Sequence, residues 1–378
     1  MDTRSKDKNG RHTGAALGLC SLRPGPAAIC ARVLYIFLAT GFSCLIAIAA
    51  PAVDLHATTN TGPQARVVTV CDPNAMDAFK PRADVIRAMV ECGMTRLAGK
   101  KSIGNAWRSF ISTQDIVGIK VYSPPGPNSG TRAVVVAAVI EGLLAAGLPP
   151  TNIIVWDKQA GDLRLAGFYD LADRYHVRVA GAAQAGYDEK SFYDTPLIGS
   201  LVYGDLEFGK EGAGLGRKSF VSKLVSQEMT KIINVAPLLN HNLAGVSGLL
   251  YGLASGSVDN MVRFESDAER LSRAIPEIYA LPALSDHVVL NITDALLCQY
   301  EGGERGLLHY SVILNELRFS RDPVALDTLA LQDLERQRQS ANAPNLKTNH
   351  DLYSNAAFLD LGVNDPKRIH VETITLKE

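Results

Sequence analysis

Lys231 to Leu250 reads KIINVAPLLNHNLAGVSGLL. Its first part, Lys231 to Leu238, is an apolar run of the kind that fills a strand buried on both faces. Asn240, His241 and Asn242 then make a polar turn, and the small residues Ala244, Gly245 and Gly248 line the entry to a helix from about Leu243. A buried strand that delivers one imidazole and two carboxamides to its end, just before a helix start, is a frame for a site. The fold class turns on whether this strand, turn and helix unit recurs along the chain.

It recurs in both directions. Upstream, Val67 to Cys71 reads as a strand, Arg82 to Leu97 as a helix and Asp115 to Tyr122 as a second strand. The Pro/Gly/Ser loop Ser123 to Thr131 leads into the apolar helix Ala133 to Ala146, which Gly147, Pro149 and Pro150 stop. Asn152 to Trp156 and Val177 to Ala180 are further strands, Tyr187 to Phe220 is a β-rich insertion, and Ser222 to Met229 is a helix. Downstream, Ser266-Asp267-Ala268-Glu269 is a capping box for a helix that Pro276 would kink, and His287 to Ile292 is a buried strand. Asp322-Pro323 starts the helix Val324 to Arg338, and Ile369 to Ile374 is a closing strand. Strands alternating with helices at this spacing predict an α/β fold, a mostly parallel open sheet flanked by helices, in one lobe or two.

Of the 378 residues, 47% are hydrophobic, enough for a sizeable core. Residues 1 to 32 carry Arg4, Lys6, Lys8, Arg11, Arg23 and Arg32 against Asp2 and Asp7, so the net charge of -1 for the whole chain leaves the remainder at -5. That balance argues against a nucleic-acid or anionic-membrane surface. The basic start runs into VLYIFLATGFSCLIAIAA, Val33 to Ala50, which reads as a signal peptide or a signal anchor. Small-residue sites such as Ala47-Ile48-Ala49 or Leu55-His56-Ala57 favour cleavage and an exported, periplasmic or extracellular protein; without cleavage the same segment would be its membrane contact. The expected division is a leader over 1–57, a linker over 58–66 and one α/β domain over 67–378. Three cysteines remain outside the leader, and Cys71 with Cys92 could bridge in an oxidising compartment, though nothing in the spacing requires it. Oligomeric state is not legible.

Polar residues recur at expected strand ends. Lys120 and Tyr122 close one strand, Asp157 and Lys158 follow another, Asn240 and His241 follow a third, and Asp294 follows a fourth. Loops at the carboxyl ends of an open α/β sheet face one crevice, so Lys120, Asp157, His241 and Asp294 are expected to share a cleft that takes a small-molecule ligand. Asp and Asn in these places are also ordinary turn formers. His241 suits an acid/base or metal-ligand role, with a turn-stabilising histidine as the alternative. His241, Asp294, Glu301 and His309 are candidate ligands for a divalent metal, although no HExxH pattern is present. Gly126 to Arg132 joins a strand to a helix. Its amides with Asn128, Ser129, Thr131 and Arg132 suit a phosphate or carboxylate, with Asn240 and Asn242 as further ligand contacts; a Thr131 N-cap is the plainer reading. Gly212 to Ser219 fails the Walker spacing and reads as a loop. Asp322 is a helix cap, and Asp327, among apolar neighbours, needs a partner such as Lys120 or Arg132 if buried.

Four segments carry a family likeness: Val117-Gly118-Ile119-Lys120-Val121; Pro237, Leu239 and His241 with Ala244 to Ser247; Asp294 to Gly303; and Asp322 to Asp327. Together they resemble the DUF362 family, whose biochemical role is poorly defined, from about Asp115 to the C-terminus. The family often has asparagine where Tyr122 stands and K-T-H where this chain has Leu239-Asn240-His241. Some relatives carry ferredoxin-type cysteine runs; this chain has none, so no iron–sulfur cluster is expected. The functional expectation is an exported enzyme acting on a small anionic or carbonyl-containing substrate through a His/Asp cleft. The alternative is a non-catalytic envelope protein that binds a ligand or serves in assembly.

Overall fold

In the computed structural model, which describes residues 64–303, 305–343 and 348–376, the apolar run that opens at Lys231 is the spine of a nine-stranded sheet. The chain enters through β1 (Ala65–Cys71), a hairpin of β2 (Met76–Asp77) and β3 (Lys80–Pro81), and helices α1 (Ala83–Ala98) and α2 (Ile103–Trp107). β4 (Val117–Lys120) leads through α3 (Ala133–Ala145) to β5 (Ile153–Asp157). α4 (Ala160–Leu165) and α5 (Tyr169–Tyr175) then lead to β6 (Arg178–Gly181) and α6 (Ala182–Ala185). β7 (Tyr187–Asp194) and β8 (Lys218–Ser222) pair antiparallel as a separate small sheet inside the expected β-rich insertion. Next come β9 (Lys231–His241), β10 (Gly245–Val246), α7 (Leu249–Ser257), α8 (Ala268–Tyr279) and α9 (Pro282–Ser285). The chain closes with β11 (Val288–Gln299), β12 (Ser311–Ser320), α10 (Pro323–Ser340), α11 (His350–Phe358) and β13 (Ile369–Thr375).

The strand order is β13-β1-β12-β11-β9-β4-β5-β6, with β10 folded back on β9. Along that path only β12 runs against the others, so the sheet is mostly parallel and the fold is α/β. Parallel strands covered by helices on both faces must be apolar on both faces, and β9 shows it. Ile233 and Val235 enter one core with α1 and α3 residues, while Ile232 and Leu238 enter the other with residues of α7, α8 and α10. Each such fully buried aliphatic side chain contributes roughly 1.5–3 kcal/mol.

Several sequence expectations are corrected. β9 does not end at Leu238; it continues to His241 and turns back to pair with Gly245 and Val246, so the helix starts at Leu249. The helix expected over Ser222 to Met229 is shorter and of the π type, Leu224–Glu228, because β8 runs on to Ser222. Asp267 rather than Ser266 caps α8, accepting from the Glu269 and Arg270 N–H groups. β12 and α11 were not anticipated. β1 begins at Ala65, inside the expected linker. The described residues fall in one compact unit rather than two lobes. Cys71, Cys92 and Cys298 are free thiols, and burial pushes Cys71 up to about 11 and Cys298 to about 12. The leader, with Val33 to Ala50, lies outside the described residues. Among the described residues no helix is long and apolar enough to cross a membrane.

Candidate functional site

Strand length decides where the polar residues go. β4 and β5 stop at Lys120 and Asp157, and Lys120 is level with Trp156 on one side and Asn234 on the other. β9 runs on to His241, seven residues past Asn234, or roughly 23 Å at about 3.3 Å per residue. The carboxyl edge is therefore stepped, and its polar residues lie on two levels.

The lower level holds two buried ion pairs. Lys120 Nζ lies 2.9 Å from Asp157 Oδ1 and donates to the Val121 carbonyl at 2.6 Å. The other carboxylate oxygen of Asp157 accepts from the Ser123 N–H and hydroxyl at 2.7 and 2.6 Å. Burial lowers the Lys120 ammonium from its ordinary range, and Asp157 opposes that shift. Helix α7 closes over this pair at Gly256, where a Cβ would lie 2.9 Å from Lys120 Nζ. The second pair is Arg132 Nη1 with Asp294 Oδ1 at 2.8 Å, and the Arg132 N–H donates to Oδ2 at 3.0 Å. Asp294 thus sits at the N-terminus of α3, where a carboxylate is favoured by the helix dipole.

Asp294 lies inside β11, not past its end. It faces Pro237, and the register then slips so that Cys298 faces Leu238. Proline inside a sheet has no N–H for the ladder and is placed at a bulge, which explains the slip and frees Asp294 to turn toward α3.

Of the anion turn expected at Asn128 to Arg132, Thr131 and Arg132 are spent inside the protein, while Asn128 is exposed. Thr131 is not the cap: its hydroxyl joins the Tyr122 N–H to the Val235 carbonyl, and Arg132 takes the N-cap position. The Asn128 carbonyl accepts from Arg132 at 3.0 Å. Ser129 is buried against Gly306, and its hydroxyl has no hydrogen-bond partner among the described residues.

The upper level is built around His241. Its Nδ1 accepts from the N–H groups of Leu243 and Ala244 at 3.2 and 2.9 Å, closing the β9–β10 turn. An imidazole that accepts at Nδ1 carries its proton on Nε2, which is then a hydrogen-bond donor. A general base or metal ligand at Nε2 needs the opposite tautomer, in which Nδ1–H donates. The ring rests 4.2 Å from that of Tyr251 on α7.

Beside it the connection from β11 to β12 folds over the sheet. Gln299 pins that connection, its Nε2 donating to the carbonyls of Glu301, Gly303 and Arg305 and its Oε1 accepting from the Leu307 N–H. Asn240 accepts from the Gly303 N–H at 3.0 Å and donates to Asn242 at 3.2 Å. Glu301 is held 3.1 Å from Arg338 of α10. A cavity of about 880 Å³ lies between, with His241, Asn242, Glu301 and Arg305 as its polar lining and Leu243, Tyr300, Leu307 and Tyr310 as its apolar walls. The exposed Arg305 guanidinium has no ion pair among the described residues. Strands wind away from β4 through β5 and β6 on one side and from β9 through β11 on the other, so the cavity opens at the carboxyl ends near the topological switch point.

The model of DUF362, a domain of unknown function, matches residues 117–332, which include both ion pairs and His241. The chain belongs to the DUF362 family. A crystal structure of a protein from Thermotoga maritima, solved by a structural-genomics consortium, is similar at a TM-score of 0.37 and 12% identity over 71% of this chain. The chain spans 61% of the length of that protein. No curated protein is matched.

This DUF362 chain does not bring its sequence candidates into one cleft. Asp157 and Asp294 are consumed in separate ion pairs below the cavity, and neither lines it. His241, Asp294, Glu301 and His309 do not assemble as metal ligands: among the described residues no group of three or more His, Cys, Asp or Glu could hold an ion. His309 is exposed against Tyr310 instead. Asp327 pairs with neither Lys120 nor Arg132. It accepts from the Leu249 and Leu250 N–H groups at 2.8 and 2.9 Å, capping α7 from α10. Sequence reading missed Arg305, Tyr300 and Tyr310 as lining residues. The signal that could have found them is the alternation Leu317-Arg318-Phe319-Ser320, which marks β12 and makes residues 300–310 a strand connection beside His241.

Proposed function

We propose that this chain is a ligand-binding protein for a small anionic molecule that also bears a carbonyl, a 2-oxo carboxylate in its simplest form. The observation that carries the reading is the presence, in the lining of one cavity, of an Arg305 guanidinium and the Asn242 carboxamide, whose oxygen accepts from Asn240 and whose NH₂ is a neutral donor. A guanidinium suits a carboxylate in fork geometry, and a neutral N–H suits a carbonyl oxygen. Binding rather than acid–base turnover is supported by Asp157 and Asp294, each neutralised by its own cation. The basic start and the apolar run Val33 to Ala50 support export to the envelope, with a mature terminus between Ala50 and Thr59; N-terminal sequencing that finds Met1 on cytoplasmic protein would refute that part.

Calorimetric titration with pyruvate, and with acetate as the control lacking the carbonyl, tests the ligand class. Saturable pyruvate binding that is tighter than acetate and falls at least tenfold in Arg305→Gln is expected. Absence of saturable binding, or an Arg305→Gln variant that binds as well as the parent, would overturn the reading.

A further inference from the structure

The cavity is far larger than a three-carbon oxo acid and falls in the volume range of pockets that take drug-sized ligands. Its walls are unequal. His241, Asn242 and Arg305 make the polar part, and Glu301 adds no competing charge because Arg338 holds its carboxylate. The remainder is aromatic and aliphatic. Tyr300 and Tyr310 stand at the two ends of the β11–β12 connection, joined by a backbone hydrogen bond from the Tyr300 N–H to the Tyr310 carbonyl at 3.0 Å. Their ring centroids are 6.1 Å apart with planes at 71°, an edge-to-face corner. Leu307 and Leu243 extend the same apolar surface.

From this we infer that the ligand is an aryl-substituted 2-oxo acid, its carboxylate and carbonyl on Arg305 and the Asn242 carboxamide and its planar ring in the corner formed by Tyr300 and Tyr310. The inference rests on the small-anion reading above and goes beyond it by naming the body of the ligand. A third ring entering such a corner meets one tyrosine edge-on and the other face-on, the arrangements that aromatic pairs prefer at centroid separations of about 4.5–7 Å. Tyr310 is well placed for this role because it is exposed: its side chain supports no core, and the part of its ring that Tyr300 and His309 leave uncovered is surface that a ligand can cover.

Phenylglyoxylate, which has no enolisable hydrogen, and pyruvate share the same head and differ by an aryl ring against a methyl group. Titrated against the full chain, phenylglyoxylate is expected to bind at least about tenfold more tightly, equivalent to ~1.4 kcal/mol. In Tyr310→Ala that ratio should fall toward one, with pyruvate titrated against the same variant as the reference for the shared head and an unchanged melting temperature as the check on folding. Equal or weaker binding of phenylglyoxylate, with pyruvate still bound, would overturn this inference and leave the small-anion reading standing. A ratio that survives in Tyr310→Ala and in Tyr300→Ala would also overturn it, since the ring would then sit elsewhere. If neither acid binds, both readings fall.

Discussion

Asp327→Asn should change stability by an amount that depends on pH, and the structure gives the sign. The carboxylate is fully enclosed between α7 and α10 and accepts two amide hydrogen bonds, from Leu249 and Leu250. Burial raises it from its ordinary 3.8 to about 7, the two amides oppose that shift, and Asp322 adds to it. A carboxyl whose folded pKa lies above its unfolded value binds more protons in the folded state across that interval, so its contribution to stability declines as pH rises from 4 toward 7. At pH 5 the group is protonated in the native state two units below its midpoint, which at 1.36 kcal/mol per unit contributes about 2.7 kcal/mol relative to pH 8. Asparagine does not titrate. Its carbonyl can serve one amide, but its NH₂ faces the other N–H and leaves a buried donor without a partner, at roughly 1–3 kcal/mol. The variant should therefore be clearly less stable than the parent at pH 5, and by pH 8 the gap should close or reverse. Urea unfolding of both proteins at the two pH values measures the difference, and every other titrating group cancels in the comparison. A gap that is the same at pH 5 and pH 8 would refute the argument that burial governs this carboxyl.

The Lys120–Asp157 pair makes a simpler demand: Lys120→Met leaves a buried carboxylate uncompensated and should cost about 3–5 kcal/mol in urea unfolding, whereas a loss below 1 kcal/mol would mean that Asp157 reaches solvent. Gly256→Ala should destabilise by about 1–3 kcal/mol despite the better helix propensity of alanine, because the new methyl group meets Lys120; an unchanged or raised melting temperature would show that α7 does not close on the pair. The raised thiols of Cys71 and Cys298 should alkylate far more slowly at pH 8 in native protein than in urea, and equal rates in the two states would contradict the burial described for them.

What could be read from the chain divides along physical lines. The strand at Lys231 was legible because burial on both faces demands an unbroken apolar run, and the Asp322 cap was legible because capping is local. Its bond from the Ala325 N–H lies within four residues. Asp294 was misplaced because β11 carries Asn291 and Thr293 before it, so the strand loses its apolar signature while its pairing continues to Gln299. The extra length of β9 and β11 over β4 and β5 is a property of sheet pairing, not of composition, and it is what separates His241 from Asp157. Asp327 could be recognised as needing a partner, but which group supplied it depended on α10 crossing α7, a contact spanning 78 residues of chain.

Gln299 is the main anchor of the β11–β12 connection, its carboxamide at the last residue of a strand donating to three carbonyls and accepting one N–H, while Asn240 and Arg338 each hold one further point of the same connection. A loop anchored at its root behaves as a replaceable cartridge: residues 300 to 310 are the segment to exchange, with the backbone positions that Gln299, Asn240 and Arg338 hold kept in place. Homologues could thus diverge in what they hold while sharing one scaffold, and an engineer wishing to retarget the cavity has an eleven-residue cassette in which to work.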